Sequence, residues 1–413
     1  MNTSTTPPER ERLLNTAHRQ ILNELAHLNL KADIDEYGDT IAFIHARLTS
    51  VLPERYSSGS GKGYRDAALV GALYEALEHY LIEHHYLDTN IHYQSNRYFN
   101  EQDFLFDDSL LDIITQQLPC TLACRYYSNP LDGKGFSYPL ILTQPNYADT
   151  PLPDDHFDYR ALRRYSSNSG TAIGATYDEA VLHGINECIE RDAVSLFLLE
   201  HFYYAHDVPL HRVRPVDPAS AVGRLWRDVE NQLNAQVVVL DISSEFQART
   251  YLAFTRIGYP HACVFGSGTS LNPSHGLSRA LTELVQLHLA TRHPHVRKSL
   301  INAQRSLTDF PRLQRCMLFD TRYLLSRPYR WIGLPSEPPP QTLAQQIACH
   351  AHNLREHRRE LGVCTLYRSE SGTTLANVVI PGLERFFIVG SGNVVVPQAR
   401  GLAHYAQQHG VGA

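Results

Sequence analysis

Glu187 and Glu190 stand three apart in the stretch GINECIERDA (184–193), among apolar residues at helical spacing and beside Arg191. Carboxylates are seldom buried unless a cation or a hydrogen-bond donor pairs with them. Glu179 and His183 extend the series upstream. At 100° per residue the four side chains share a helix stripe roughly 80° wide. The pattern recurs twice. GALYEALEHY (71–80) carries Glu75 and Glu78, and RALTELVQLH (279–288) carries Arg279, Glu283 and Gln286 at i, i+4 and i+7. Apolar residues flank each set: Leu73 and Leu77; Val181, Leu182 and Ile189; Leu281, Leu284 and Val285. Three helices presenting polar groups to one shared centre is the arrangement this echo predicts.

Each residue also has a plain structural reading. Thr176-x-x-Glu179 is a capping box, Glu190–Arg191 a surface pair, and Glu75 and Glu78 a solvated face. Against the last, residues 66–86 contain no lysine, which a solvated acidic face would carry. Five carboxylates gathered inside would repel one another unless cations held them. An oxygen-rich site of that kind suits Mg²⁺, which keeps waters and takes further ligands from substrate phosphates. Arg191 and Arg279 suit the same phosphates. Two glycine-rich stretches precede acidic helices. SSGSGKGYRD (57–66) reads as a phosphate loop containing Lys62, although it is not a Walker A loop, because Gly63 follows the lysine where Ser or Thr belongs. SSNSGTAIGAT (166–176) stands in the same relation to the second helix, whose N-terminus favours an anion.

The elements that must position these groups follow from periodicity. A helix is expected near 9–29, with Leu13, Leu14, Ile21, Leu22 and Leu25 on one side, after a Ser/Thr/Pro-rich start at 1–8 that reads as disordered. Strands are expected within 40–55 and 120–145, at 235–243, 250–257, 261–268, 374–380 and 385–396. A helix is expected at 341–361 after the linker PSEPPPQ (335–341). Interleaved strands and helices make the class α/β, in the mixed α+β sense. The chain has 413 residues, 43% hydrophobic, and a formal net charge of −6. With no long basic run, nucleic acid is not expected as a partner. Seven scattered cysteines without C-x-x-C exclude a disulfide framework and a cysteine-rich zinc site, and fit reduced thiols in the cytoplasm. The histidine pairs His84–His85 and His350-x-His352 match no metal-ligand spacing. The N-terminus lacks the apolar core of a signal peptide, and no apolar run approaches the ~20 residues of a membrane span.

In order along the chain, SGKG (60–63), EALE (75–78), SNSGTAIGATYDEA (167–180), ECIERDA (187–193), RALTELVQ (279–286) and VIPGLE (379–384) resemble the motifs of the YcaO family. The resemblance runs from about residue 57 to 384. It implies a YcaO-type ATP-binding fold over 51–400, with a tail and helical region at 1–50 and a C-terminal tail at 401–413. By position, Glu75, Glu78, Glu179, Glu187 and Glu190 match ligands of Mg²⁺. Lys62, Arg191, Arg279, Glu283 and Gln286 match ATP-binding positions. No catalytic base is assigned.

What the resemblance implies for activity is ATP-dependent cyclodehydration of a ribosomally made precursor peptide. A Cys, Ser or Thr side chain attacks the preceding backbone amide carbonyl, ATP phosphorylates the resulting oxygen, and loss of phosphate leaves an azoline ring, in bacteriocin or microcin biosynthesis. The chain is similar to the stand-alone catalytic subunit of a microcin-B17-type thiazole/oxazole synthetase. It would therefore work with an E1-like, leader-peptide-binding subunit and a flavin-dependent dehydrogenase. Two departures matter. Ala172 and Ala175 stand where the family often has Ser and Asn, and the chain ends AQQHGVGA rather than in alternating prolines. Two other readings are carried: thioamide or amidine formation by the same activation, and a non-catalytic ATP-binding scaffold.

Overall fold

Alanines every four residues give a helix a smooth stripe on one face, and Ala68, Ala72 and Ala76 do this for α2 (Arg65–His84). The stripe lies on a three-stranded antiparallel sheet of β1 (Leu30–Tyr37), β2 (Ala42–Val51) and β3 (Glu54–Gly63), in that order. Opposite the alanines, β3 offers glycine. A Cβ on Gly61 would stand 1.7 Å from the Ala68 carbonyl oxygen, and one on Gly59 2.1 Å from the Ala76 nitrogen. Helix and strand therefore meet backbone to backbone. This corrects the reading of SGSGKG as a phosphate loop. It is the end of a strand paired along its whole length with β2, and its glycines admit a helix. The structure, a computed structural model, describes residues 8–51, 54–84, 90–102, 108–256 and 264–409.

The device is repeated in a second sheet, ordered β11 (Gly266–Ser270), β10 (Arg249–Thr255), β9 (Val237–Asp241), β8 (Leu210–Val213) and β12 (Tyr329–Ile332), with β12 parallel to β8. Helix α6 (Pro273–Ala290) presses Gly276 and Ala280 onto Gly268 and Gly266, whose added Cβ atoms would lie 2.3 Å and 2.2 Å from the carbonyl oxygens of Gly276 and Ala280. Helix α5 (Ala221–Leu233) packs beside α6 through Val222, Trp226 and Val229.

The third sheet runs β4 (Ile91–Ser95), β5 (Thr121–Ser128), β13 (Gly362–Arg368), β14 (Thr374–Val379) and β7 (Thr171–Gly174), with β6 (Gly135–Pro139) paired to β5. Helix α4 (Tyr177–Leu198) lies between this sheet and the second. Its Val181, Leu182, Ile185 and Ile189 join β14 and α10 (Leu343–Glu356) in one core cluster. The Thr176 side chain caps α4, and Thr342 with Gln345 forms a full capping box on α10. Smaller helices complete the chain: α3 (Ser109–Thr115), α7 (Pro294–Ser306), α8 (Pro311–Leu318), α9 (Thr321–Ser326) and α11 (Ala399–His409).

The mixed α/β class is as expected, and most expected elements are present within a few residues. Two differ. The run 385–396 is not a strand: Phe386–Ser391 forms a 3-10 turn whose Phe387 amide donates to Ser195 Oγ at 2.9 Å, and Gly392 ends it at φ +83. The strand expected at 261–268 begins at Gly266, and residues 261–263 lie outside the described ones. The first helix, α1 (Leu14–His27), starts five residues later than expected. The expected boundary near residue 51 falls between the paired strands β2 and β3. Among the described residues the cysteines are free, and no helix is long and apolar enough to cross a membrane.

Candidate active site

The repeated strand–helix packing brings α2, α4 and α6 around one cavity of about 930 Å³. All ten residues singled out by type and spacing line it: Lys62, Glu75, Glu78, Glu179, Glu187, Glu190, Arg191, Arg279, Glu283 and Gln286. Glu75 and Glu187 thus share one space, as the echo among the three segments required.

The local hydrogen bonds show how each carboxylate is held. Strand β3 is an outer strand of its sheet, and α2 satisfies part of its open edge. The Ser60 amide donates to Glu75 Oε2 at 3.0 Å, and His79 Nδ1 lies 2.6 Å from the Ser58 carbonyl oxygen. The Ile173 amide donates to Glu78 Oε2 at 2.9 Å, and Ser267 Oγ to Glu190 Oε1 at 2.8 Å. Glu190 Oε2 is buried without a hydrogen-bond partner, as is Arg279 Nε. Lys62 Nζ sits 2.6 Å from Glu283 Oε2, and Arg191 pairs with Glu187 one turn away. Arg191 also donates to Ser167 Oγ at 3.3 Å and lies over the Phe387 ring at 4.9 Å.

The electrostatics record crowding. Burial, then the charges of Glu187 and Glu75, push Glu78 well above the usual carboxylate range. Burial, with some help from Glu187, raises Glu75 against the opposing pull of His79, the Ser60 amide and Lys62. Glu190 is raised by burial and by Glu283, against Arg279 and Lys62. His183 is held well below its ordinary value by burial and by Arg279 and Arg10, so its ring is neutral. Arg279 Nη1 lies 3.5 Å from its Nδ1.

This donor set fits a hard divalent cation. The candidate donors are carboxylate oxygens, one of them buried without a partner, and burial together with neighbouring negative charge opposes ionisation of these acids. Among the described residues no three acidic, His or Cys side chains close into a ready metal site. A cation would have to complete its sphere with waters and phosphate oxygens, which is the habit of Mg²⁺.

Glu179 differs from the other four acids. Its Oε1 accepts from the amides of Glu11 and Arg12 at 2.8 Å and 3.2 Å, and its Oε2 from the Ala175 amide at 3.1 Å. It is buried and already hydrogen-bonded on both oxygens, so it braces the chain start rather than offering an unused oxygen.

Sequence reasoning missed that chain start. Pro8, Arg10 and Arg12 line the cavity. Glu9 anchors them, in a left-handed conformation at φ +54. Its carboxylate accepts from Ser270 Oγ and Asn186 Nδ2 and lies 3.4 Å from His275 Nε2. Burial alone would raise Glu9, but His275, Arg279 and Ser270 outweigh it and hold the group down at about 2. The repeated device does have a mark in the sequence: GSG occurs at 59–61 and again at 266–268, each before an acidic or amide-bearing helix.

Residues 60–384 match the family described as YcaO cyclodehydratase, ATP- and Mg²⁺-binding. An uncharacterized protein of Methanothermobacter thermautotrophicus is 26% identical over 229 residues, 54% of this chain and 57% of that protein. The chain thus spans little more than half the length of that curated relative. Among solved structures, YcaO from Methanopyrus kandleri, bound with AMPPCP and Mg²⁺, superposes with a TM-score of 0.64 at 18% identity, covering 92% of this chain and 93% of that one. The Escherichia coli microcin synthetase McbBCD complex contains a chain with a TM-score of 0.56 at 11% identity, covering 86% and 88%. Those likenesses bear on the fold, and the fold is the same. With four-fifths of its length inside the family match, and three helices lining one cavity, the chain belongs to the YcaO family of ATP- and Mg²⁺-binding cyclodehydratases.

Proposed function

We propose that this cavity activates a backbone amide of a ribosomally made peptide, and that the chain is the ATP-dependent cyclodehydratase subunit of a peptide-modifying complex. The observation that carries the reading is the gathering of Glu75, Glu78, Glu187 and Glu190 with Arg191, Arg279 and Lys62 on one cavity. Mg·ATP supplies the phosphoryl group that turns an amide oxygen into a leaving group. Glu75, Glu78, Glu187 and Glu190 would hold the metal, and Glu190 Oε2 is buried without a hydrogen-bond partner. Arg191 and Arg279 neutralise phosphate charge from fixed positions, Arg191 steadied by Ser167 and Phe387. Lys62 and Glu283 hold each other across the mouth between β3 and α6. Gln286 lies one turn further along α6 and offers an uncharged amide to the nucleotide. The acceptor is a Cys, Ser or Thr side chain of the peptide, whose attack on the preceding carbonyl yields an azoline after phosphate leaves. The protein's share of the rate is positioning and charge neutralisation.

A leader-binding partner subunit belongs to the same reading, as the McbBCD neighbour is itself a complex. The test is the product of the chain incubated with ATP, Mg²⁺, partner and precursor. Loss of one water per modified residue, with phosphate released only when peptide is present, is the expected result. Exchange of oxygen for sulfur would assign the thioamide reaction instead. ATP binding without turnover under any of these conditions would leave a scaffold.

A further inference from the structure

One end of the cavity has no task in the chemistry above. Along α4 the lining residues run Glu179, His183, Glu187, Glu190, Val194 and Leu198. Steps of three and four keep them on one face, and the stripe is roughly 28 Å long at 1.5 Å per residue. The wall turns from charged to apolar just past Arg191. Helix α6 does the same, from Arg279 and Glu283 to Leu287. Phe265, which leads into β11, and Met317 on α8 complete this end. They belong together in space: Cys316 Sγ, next to Met317, lies 3.7 Å from the Leu198 carbonyl oxygen, and the Phe265 ring packs tilted against Phe319 at the end of α8, centroids 4.4 Å apart. Phe265, Leu287 and Met317 are only half-buried, so apolar surface is left facing the cavity.

The opposite end is apolar as well. Leu14, Ala17, Tyr74 and Ala175 line it. The segment around Glu9 to Arg12, tied to Glu179, lies over this end. A nucleoside triphosphate is a linear molecule with its base at one end and the transferred phosphoryl group at the other. With the phosphates on the charged middle, the base and the acceptor must lie at opposite ends. A base fits the end that this segment covers. A polypeptide continues in both directions and needs the end that the segment leaves clear.

We propose, building on the function argued above, that Val194, Leu198, Phe265, Leu287 and Met317 form a side-chain subsite for the polypeptide substrate. It takes an apolar residue beside the amide that is activated. The subsite fixes substrate class through contact area, next to Arg191 and within the reach of the transferred group.

Two probes of nearly equal size separate the apolar requirement from shape: acetyl-Leu-Cys-amide and acetyl-Asn-Cys-amide. Each is titrated by saturation-transfer NMR into the full chain loaded with Mg²⁺ and a non-hydrolysable ATP analogue. The leucine probe is expected to bind at least about tenfold more tightly, the fold-change that burial of such a side chain supports. Met317→Glu is expected to erase that preference while analogue binding stays within about twofold. Met317→Ala, which keeps the recess apolar, retains the preference. If Met317→Glu does not fold, Leu287→Gln serves the same purpose. Equal binding of the two probes overturns the proposal. So does a charged variant that weakens the nucleotide analogue and spares the peptide, because the recess would then house the base. A leucine preference without peptide-dependent phosphate release would instead remove the enzymatic reading and leave the subsite standing.

Discussion

Glu78 accepts one hydrogen bond from the Ile173 amide and otherwise faces the charges of Glu187 and Glu75. Gln at this position keeps the volume, the helix propensity and an oxygen for Ile173. It replaces a buried carboxyl, whose ionisation burial and the charges of Glu187 and Glu75 oppose, with a neutral amide. The free protein should therefore melt at the same temperature or higher in Glu78→Gln, because that penalty is removed. Stabilisation by Mg·ATP, which in the wild type reaches about 2.7 kcal/mol at a hundredfold excess over Kd, should largely vanish. Thermal melts with and without Mg·ATP check both halves. The reverse pattern, lower free stability with the ligand shift intact, would make Glu78 a structural residue.

At the scale of elements, the site depends on how closely helices approach strands. The acidic stripe of α2 reaches the cavity because Gly59 and Gly61 let the helix lie directly on β3. Gly61→Ala places a methyl inside the Ala68 carbonyl and must lift α2 away. A cost of about 3 kcal/mol, near the top of the overpacking range, is expected from chemical denaturation. Nucleotide binding should weaken as well, since Glu75 and Glu78 ride on the displaced helix. The same substitution would be nearly silent if SGSGKG were an open loop. The reading of that stretch as a loop was wrong because glycine serves loops and close-packed strands alike, and only pairing with β2 distinguishes them.

Across the whole molecule, the last helix closes onto the helix that carries the central acids. Arg400 of α11 makes two bonds to buried Asp192, at 2.5 Å and 2.7 Å, and another to Glu245 at 2.7 Å. Asp192 is two residues past Glu190 on α4. Glu384 Oε2 takes the amides of Gln398 and Gly401 at 3.0 Å and 2.9 Å, and its Oε1 that of Arg385 at 3.1 Å. Burial, with the charge of Asp192, still pushes Glu384 up to about 7 against those three donors. A folded pKa above the unfolded value means that the native state holds the proton more tightly. Its contribution is complete below about pH 4.5 and is lost as pH rises through 7, a change of about 3 kcal/mol. Wild type and Glu384→Gln should be compared by denaturation from pH 4.5 to 7. The wild-type curve should fall relative to the variant across that window, and parallel curves would show that Glu384 does not titrate there.

Much of the site was legible because a helix face is a local property. A period of 3.6 residues places Glu179, His183, Glu187 and Glu190 together whatever the rest of the chain does, and the same holds for Glu75 with Glu78 and Arg279 with Glu283. Repetition of the pattern was enough to infer one shared centre. The remainder depended on partners far away in the chain. Glu179 had the right spacing for a ligand, but its Oε1 meets the amides of residues 11 and 12, more than 160 positions earlier, and its Oε2 that of Ala175. The apolar run 386–389 looked like a strand until Ser195 of α4 took its backbone into a turn. Arg10 and Arg12 carried no motif and reached the cavity only because Glu9 fits a socket built from α4, β11 and α6. Short-range periodicity sets which residues share a face. Which faces meet, and which polar atoms find each other, is decided by packing between segments distant in sequence, and only the tertiary structure contains that information.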